Sequence, residues 1–139
     1  TLYQSQKAIE AALRVVEPGG TVIVPATCAE GSGSRRFERW MEEAGTPEEV
    51  LTRIQGSFEM GGHKAYQIAR AVRRAEVYLY STLSPDKVSS WFLNPLRHWG
   101  DVQSFVDKAS RVIVLPQATL TLAVPRMCPG FLPACEFET

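Results

Sequence analysis

Apolar residues recur at Ile9, Ala12, Leu13 and Val16, the i, i+3, i+4, i+7 spacing of an amphipathic helix, so the chain is expected to open on one. Pro18-Gly19-Gly20 follows, a helix breaker joined to residues suited to a helix C-terminus, and sets its end near Glu17. Thr21 to Ala26 is a short, almost continuous apolar run rich in β-branched residues, which predicts a strand covered on both faces of a parallel sheet. After a loop from Thr27 to Ser34, the positions Phe37, Trp40, Met41 and Ala44 stripe a second helix that ends at Gly45. Thr46-Pro47-Glu48-Glu49 reads as a capping box with Pro at the first helical position, opening a third helix on Val50, Leu51 and Ile54. Ser57 to Gly62 is a loop, and Ala65, Ile68, Ala69 and Val72 stripe a fourth helix. Val77 and Leu79 alternate with Tyr78 and Tyr80 in a second strand, Glu76 to Ser81. A short helix starts at Ser84-Pro85-Asp86, Trp91 to Gly100 is irregular, and Val102, Phe105, Val106 and Ala109 stripe a last helix. Arg111 to Leu115 is expected as a third strand and Thr119 to Val124 as a fourth.

Strands alternating with helices predict an α/β domain of two or three layers, with a mainly parallel sheet of three to four strands flanked by helices. The domain is expected over residues 1–125. Residues 126–139, with Pro129, Gly130 and Pro133, have no clear period and read as an irregular tail.

The helical wheel of the first helix bears on function. Tyr3, Gln4 and Lys7 lie roughly opposite the apolar stripe and share one face in the first two turns. A phenol, a carboxamide and an ammonium beside the N–H groups of a helix start suit a carboxylate or a phosphate. The same face also reads as plain solvated surface, since Glu10 and Arg14 share it.

The loop Cys28-Ala29-Glu30-Gly31-Ser32-Gly33-Ser34-Arg35-Arg36 follows a strand and precedes a helix, where ligands collect in open parallel sheets. Gly31 and Gly33 would let backbone approach an anion beside Ser34. Against this, Arg36 stands where a dinucleotide loop needs a third glycine, and no Walker lysine follows. A tight turn with a Ser helix cap accounts for the same residues. His63 and His98 are the only histidines and lack partners in ligand spacing, so no metal site is expected. His63, after Gly61-Gly62, suits either a surface cap or a proton donor in a cleft.

Composition narrows the partners. Fifteen basic and fifteen acidic residues balance, with no basic stripe, so no nucleic-acid partner is expected. No apolar run approaches the roughly 18 residues needed to cross a bilayer. Three cysteines without a CxxC pair fit a reducing, cytoplasmic setting. A chain that lacks an initiator Met and begins on a helix signal is expected to be a fragment.

An ordered set of short motifs joins these segments. It runs from Tyr3-Gln4-x-x-Lys7 and Glu17-Pro18-Gly19-Gly20-Thr21-Val22-Ile23 through Ala29-Glu30-Gly31-x-Gly33 and Phe37-x-x-Trp40. It continues with Thr46-Pro47-Glu48-Glu49, Gly62-His63-Lys64-Ala65-Tyr66, Val77-Tyr78-Leu79-Tyr80-Ser81 and Val112-Ile113-Val114-Leu115-Pro116. In that order they resemble the C-terminal domain of the nickel-dependent lactate racemase family, over residues 1 to about 125.

The resemblance implies an isomerase parent that racemises or epimerises a small 2-hydroxy acid by hydride transfer at Cα. Its cofactor would be a nickel-pincer pyridinium mononucleotide, held mainly by an N-terminal domain that also supplies the acid/base histidines. The Tyr-Gln-x-x-Lys segment would hold the substrate carboxylate, with Lys7 the charge partner, Gln4 a donor and Tyr3 a wall and hydroxyl donor. His63 would line the same cleft. The lactate-specific members tend to carry a tryptophan near His63, so the departure here leaves room for another 2-hydroxy acid. Without the N-terminal half, these residues would bind no cofactor and be inactive. The rival expectation is a non-catalytic α/β module that binds phosphate or nucleotide at Gly31, Gly33 and Ser34.

Overall fold

The computed structural model describes residues 1–56 and 59–124. Its elements are α1 (Leu2–Leu13), β1 (Thr21–Pro25), α2 (Arg35–Glu43), α3 (Pro47–Gly56), α4 (Gly62–Arg74), β2 (Glu76–Tyr80), α5 (Pro85–Ser89), β3 (Asn94–Leu96) and α6 (Trp99–Lys108). The three strands lie in the order β1-β2-β3 and both pairings are parallel, with Val22 opposite Val77 and Leu79 opposite Pro95. The α/β architecture expected from the pattern is therefore present.

Alternation along the strands divides the two faces of the sheet. Val22, Val24, Val77 and Leu79 are buried and face α1 and α4, whose Ile9, Leu13, Ala65, Ile68 and Ala69 complete the same core. Trp40, Met41, Val88 and Trp91 extend that core, and Phe37 meets Trp91 edge-on at 5.5 Å. On the other face, Tyr78 stacks against Phe105 at 4.7 Å and Tyr80 meets Trp99 at 5.6 Å, so α6 covers it. Helix layer, sheet and helix make three layers.

Helix α1 ends one turn earlier than its stripe suggests. The chain turns after Leu13 so that Gly19, at φ +76°, donates to the Arg74 carbonyl at 2.8 Å. The β1–β2 pairing starts from this contact, with Glu76 N–H donating to Gly20 O at 2.9 Å.

Two strand expectations are overturned. Arg111 to Leu115 and Thr119 to Val124 form no strand, and Val114 and Leu120 are 77% and 84% exposed. A β-prone run becomes a strand only where a partner edge and a covered face receive it. The third strand is instead Asn94–Leu96, in the stretch expected to be irregular. It tolerates Pro95 because it lies at the edge of the sheet. The expected tail, residues 126–139, lies outside the described residues.

Candidate functional site

Both α1 and α4 lead into strands from their C-termini, so their N-termini gather at the carboxyl edge of the parallel sheet. In open α/β sheets that edge is where ligands are bound. Cross-links between the two helices follow one direction: Tyr3 meets His63, Gln6 meets Lys64 and Glu10 meets Arg70.

The start of α1 is held from outside. The N–H groups of Leu2 and Tyr3 donate to the carbonyls of Gly31 and Ser32 at 3.0 and 2.8 Å, and those of Gln4 and Ser5 donate to Thr1 O. The helix-start amides expected to favour an anion are therefore already spent, and any anion at this face must be met by side chains. Gly33 has φ +82°, and a Cβ there would sit 2.8 Å from the Thr1 side chain, so glycine is required for the loop to close on the helix. Ser34 caps α2 by accepting from Phe37 N–H at 3.3 Å, and buried Ser32 exchanges hydrogen bonds with Ser34. Of the amides proposed for an anion, Gly31 N–H donates to Cys28 O at 2.8 Å and Ser34 N–H to Ser32 Oγ at 3.0 Å, so both are engaged inside the loop that fastens α1 to α2.

Tyr3, Gln4 and Lys7 share one face of α1, with Gln4 and Lys7 exposed and Tyr3 half-buried. His63 joins them from the first turn of α4. Its Nε2 lies 3.4 Å from the Tyr3 hydroxyl, and the rings meet edge-on at 6.1 Å. Gly61 N–H donates to His63 Nδ1 at 3.2 Å, which places the proton of a neutral ring on Nε2, aimed at the phenol oxygen. Burial, and then the neighbouring Lys64 ammonium, hold the His63 pKa below its ordinary value. Gly61 and Gly62 let α4 begin against α2: Gly61 has φ +99°, and a Cβ on Gly62 would lie 2.6 Å from the Trp40 ring.

Two residues that sequence reasoning passed over complete the cluster. Lys64 Nζ donates to Gln6 Oε1 at 2.6 Å and stands 5.1 Å from the centre of the Tyr3 ring. Gln6 is 2% exposed and passes its own N–H to Glu10, which is paired with Arg70 at 2.9 Å. The Lys64 pKa is lowered by burial first and by Lys7 second, with Glu10 opposing. Gln6 was detectable: Leu2, Gln6, Ile9 and Leu13 make one inward stripe, and only a stripe begun at Ile9 hides it. Lys64 stands in the Gly62-His63-Lys64-Ala65-Tyr66 motif, but nothing in its spacing showed that it would reach Gln6.

Among the described residues no group of three or more His, Cys, Asp or Glu side chains is placed to hold a metal ion. No helix among them is long and apolar enough to cross a membrane. What the cluster offers is neutral donors and two ammonium groups around one phenol.

Comparison with known proteins follows the same outline. A curated lactate racemase from Thermoanaerobacterium thermosaccharolyticum is 28% identical over 124 residues, covering 83% of this chain and 29% of that protein. The solved lactate racemase apoprotein from that organism matches with a TM-score of 0.70 and 25% identity, covering 77% of this chain and 27% of the other. The chain thus spans less than a third of the length of either. Residues 1–84, from the Tyr3-Gln4-x-x-Lys7 helix through β2, match the lactate racemase C-terminal domain, and the chain belongs to that family.

Proposed function

We propose that this chain is the substrate-covering C-terminal domain of a 2-hydroxyacid racemase or epimerase. The observation that carries the reading is the meeting of Tyr3 and His63 from two helix starts at the carboxyl edge of the sheet, with Lys7 one turn along from Tyr3 on the same face of α1. A small carboxylate there would find Lys7 as charge partner, Gln4 as carboxamide donor and the Tyr3 hydroxyl as a further donor. With its Nε2–H directed at the phenol oxygen, His63 leaves Tyr3 its own proton to give.

The racemisation itself needs a Cα–H bond beside a carboxylate to be broken and remade on either face. A nickel-pincer pyridinium cofactor, when bound, supplies a hydride acceptor for that bond. By its membership of the lactate racemase C-terminal domain family, the chain leaves the holding of that cofactor to a preceding domain of the parent protein. The role left to this chain is to fix the carboxylate and to close over the reacting centre, in a cytoplasmic protein. Isolated, it is expected to be inactive.

The phosphate-module alternative has less support, because the Gly31 and Ser34 N–H groups that would meet an anion already donate to Cys28 O at 2.8 Å and Ser32 Oγ at 3.0 Å. The test is Lys7→Ala in the full-length parent. Loss of a charged substrate contact is expected to cost roughly 2–4 kcal/mol in kcat/KM. Unchanged turnover and substrate affinity would remove Lys7 from the site.

A further inference from the structure

At the end opposite Tyr3 and His63, the seam between α1 and α4 opens into a groove of about 310 Å³, lined by Glu10, Leu13, Arg14, Arg70 and Arg74. That volume lies at the lower end of the range for small-molecule sites, roughly 300–1,000 Å³. Three guanidinium groups face one carboxylate there. The chain as a whole is neutral, so the surplus is local and arises only when the two helices are brought side by side.

The one acid of the groove is already spoken for. Glu10 Oε2 accepts from Arg70 at 2.9 Å and its Oε1 accepts from Gln6 Nε2 at 3.2 Å. Gln6 is buried, so it fixes Glu10 and, through it, Arg70, whose other N–H donors stay available. Arg14 and Arg74 are exposed and form no ion pair among the described residues. Nor are they consumed in capping. Ala11 O and Ala12 O at the end of α1 accept from the N–H groups of Arg14, Val15 and Val16, and Ala71 O and Arg74 O of α4 accept from Ala75 and Gly19. The helix dipoles explain the sign of these side chains but leave their donors free.

We propose that this groove binds a phosphate dianion, free or carried by a small ester, at a site separate from the carboxylate site of Tyr3, Gln4 and Lys7. Three guanidinium charges less the Glu10 charge match the roughly −1.5 to −2 of a phosphomonoester at neutral pH. A lone carboxylate would leave that surplus unbalanced. The planar guanidinium fork pairs with two phosphate oxygens at once, and Arg14 and Arg74 bring such forks from separate helices. Leu13, 6% exposed, supplies an apolar floor for the organic part of an ester.

The test is calorimetric titration of the chain at constant ionic strength with inorganic phosphate, glycerol 3-phosphate and acetate. Saturable binding of a phosphate species is expected, with acetate at least about tenfold weaker. Arg14→Gln and Arg74→Gln should each lower phosphate affinity by roughly threefold to tenfold, the range for an exposed charge-assisted contact. The double variant should lose saturable binding yet melt, without anion, as the parent chain does. Arg74→Lys, which keeps the charge and loses the fork, should fall between. Arg39→Gln, at an exposed position of α2 outside the groove, should bind as the parent does. Tighter binding of the ester would assign Leu13 to its organic part, and equal affinities would assign the site to free phosphate; either supports the groove. No saturable binding, acetate binding as tightly, or a double variant that binds like the parent would each overturn it. So would binding that is lost in Lys7→Gln and kept in both arginine variants, because the anion would then sit at the other end of the seam.

Discussion

Tyr3 and His63 meet across 60 positions of sequence, hydroxyl to Nε2 at 3.4 Å, and this contact ties the first turn of α1 to the first turn of α4. Because Gly61 N–H donates to Nδ1 at 3.2 Å, the hold of the preceding loop on the ring depends on a neutral imidazole. Protonation would put a second N–H against the Gly61 donor and break the loop's hold on the ring.

A pH dependence follows with a definite sign. Burial first, and Lys64 second, lower the His63 pKa in the folded state, so the unfolded chain takes up the proton first as pH falls. Stability should therefore decline as pH drops below about 6.5, the ordinary histidine value, and level off once the folded ring is also charged. Glu38 also has a lowered pKa, but its contribution is lost only on going below the ordinary carboxylate range, so the two windows separate. Thermal melts between about pH 7.5 and 5 should show the slope, and His63→Gln should flatten it. A variant with the same acid slope as the parent chain would assign the effect elsewhere.

The Lys7–Lys64 repulsion gives a second expectation, on stability. Lys64 is pulled down in pKa by burial and by Lys7, so its charged form is disfavoured by the fold at neutral pH. Removing Lys7, which is exposed and makes no ion pair among the described residues, should raise the melting temperature slightly while impairing substrate binding. Salt should shrink the gain, because screening weakens the repulsion that the substitution removes. Melting Lys7→Gln beside the parent chain at low and high sodium chloride tests this; a lower melting temperature at both would contradict it.

Gly62 is predicted to be intolerant for a packing reason. A Cβ there would lie 2.6 Å from the Trp40 ring, which is fully buried and shares its face with the Arg53 guanidinium at 4.4 Å. Neither the helix start nor the indole has room to move, so Gly62→Ala should cost about 1–3 kcal/mol. Denaturant unfolding measures this directly. Because α4 also carries His63, the same substitution should weaken 2-hydroxyacid binding in the parent protein.

Much of this arrangement was legible in the chain, and the failures have physical causes. Periodicity located α1 through α4, β1 and β2 because each buries one face against a single core, which is the condition under which apolar spacing reports structure. Asn94–Leu96 escaped notice because Pro95 contradicts a central strand and only its edge position reconciles it. Tyr3, Gln4 and Lys7 could be placed on one face by helical geometry alone. Lys64 could not, since its contact with Gln6 spans 58 positions and depends on how α1 and α4 align.

The reverse error, strands expected where none form, leads to a final prediction about residues 112–114. Val112, Ile113 and Val114 have strong β propensity, yet they are 47%, 55% and 77% exposed and pair with nothing in the sheet. Propensity alone contributes little when no face is covered, so these side chains add almost nothing to the stability of the isolated chain. Replacing each by Ser should change unfolding free energy by less than about 0.5 kcal/mol per site. Exposed β-prone apolar runs also favour intermolecular pairing, so the triple variant should show less concentration-dependent association in sedimentation. A loss of several kcal/mol would mean that the segment lies against the core in solution, and the three-stranded sheet would then have to be extended.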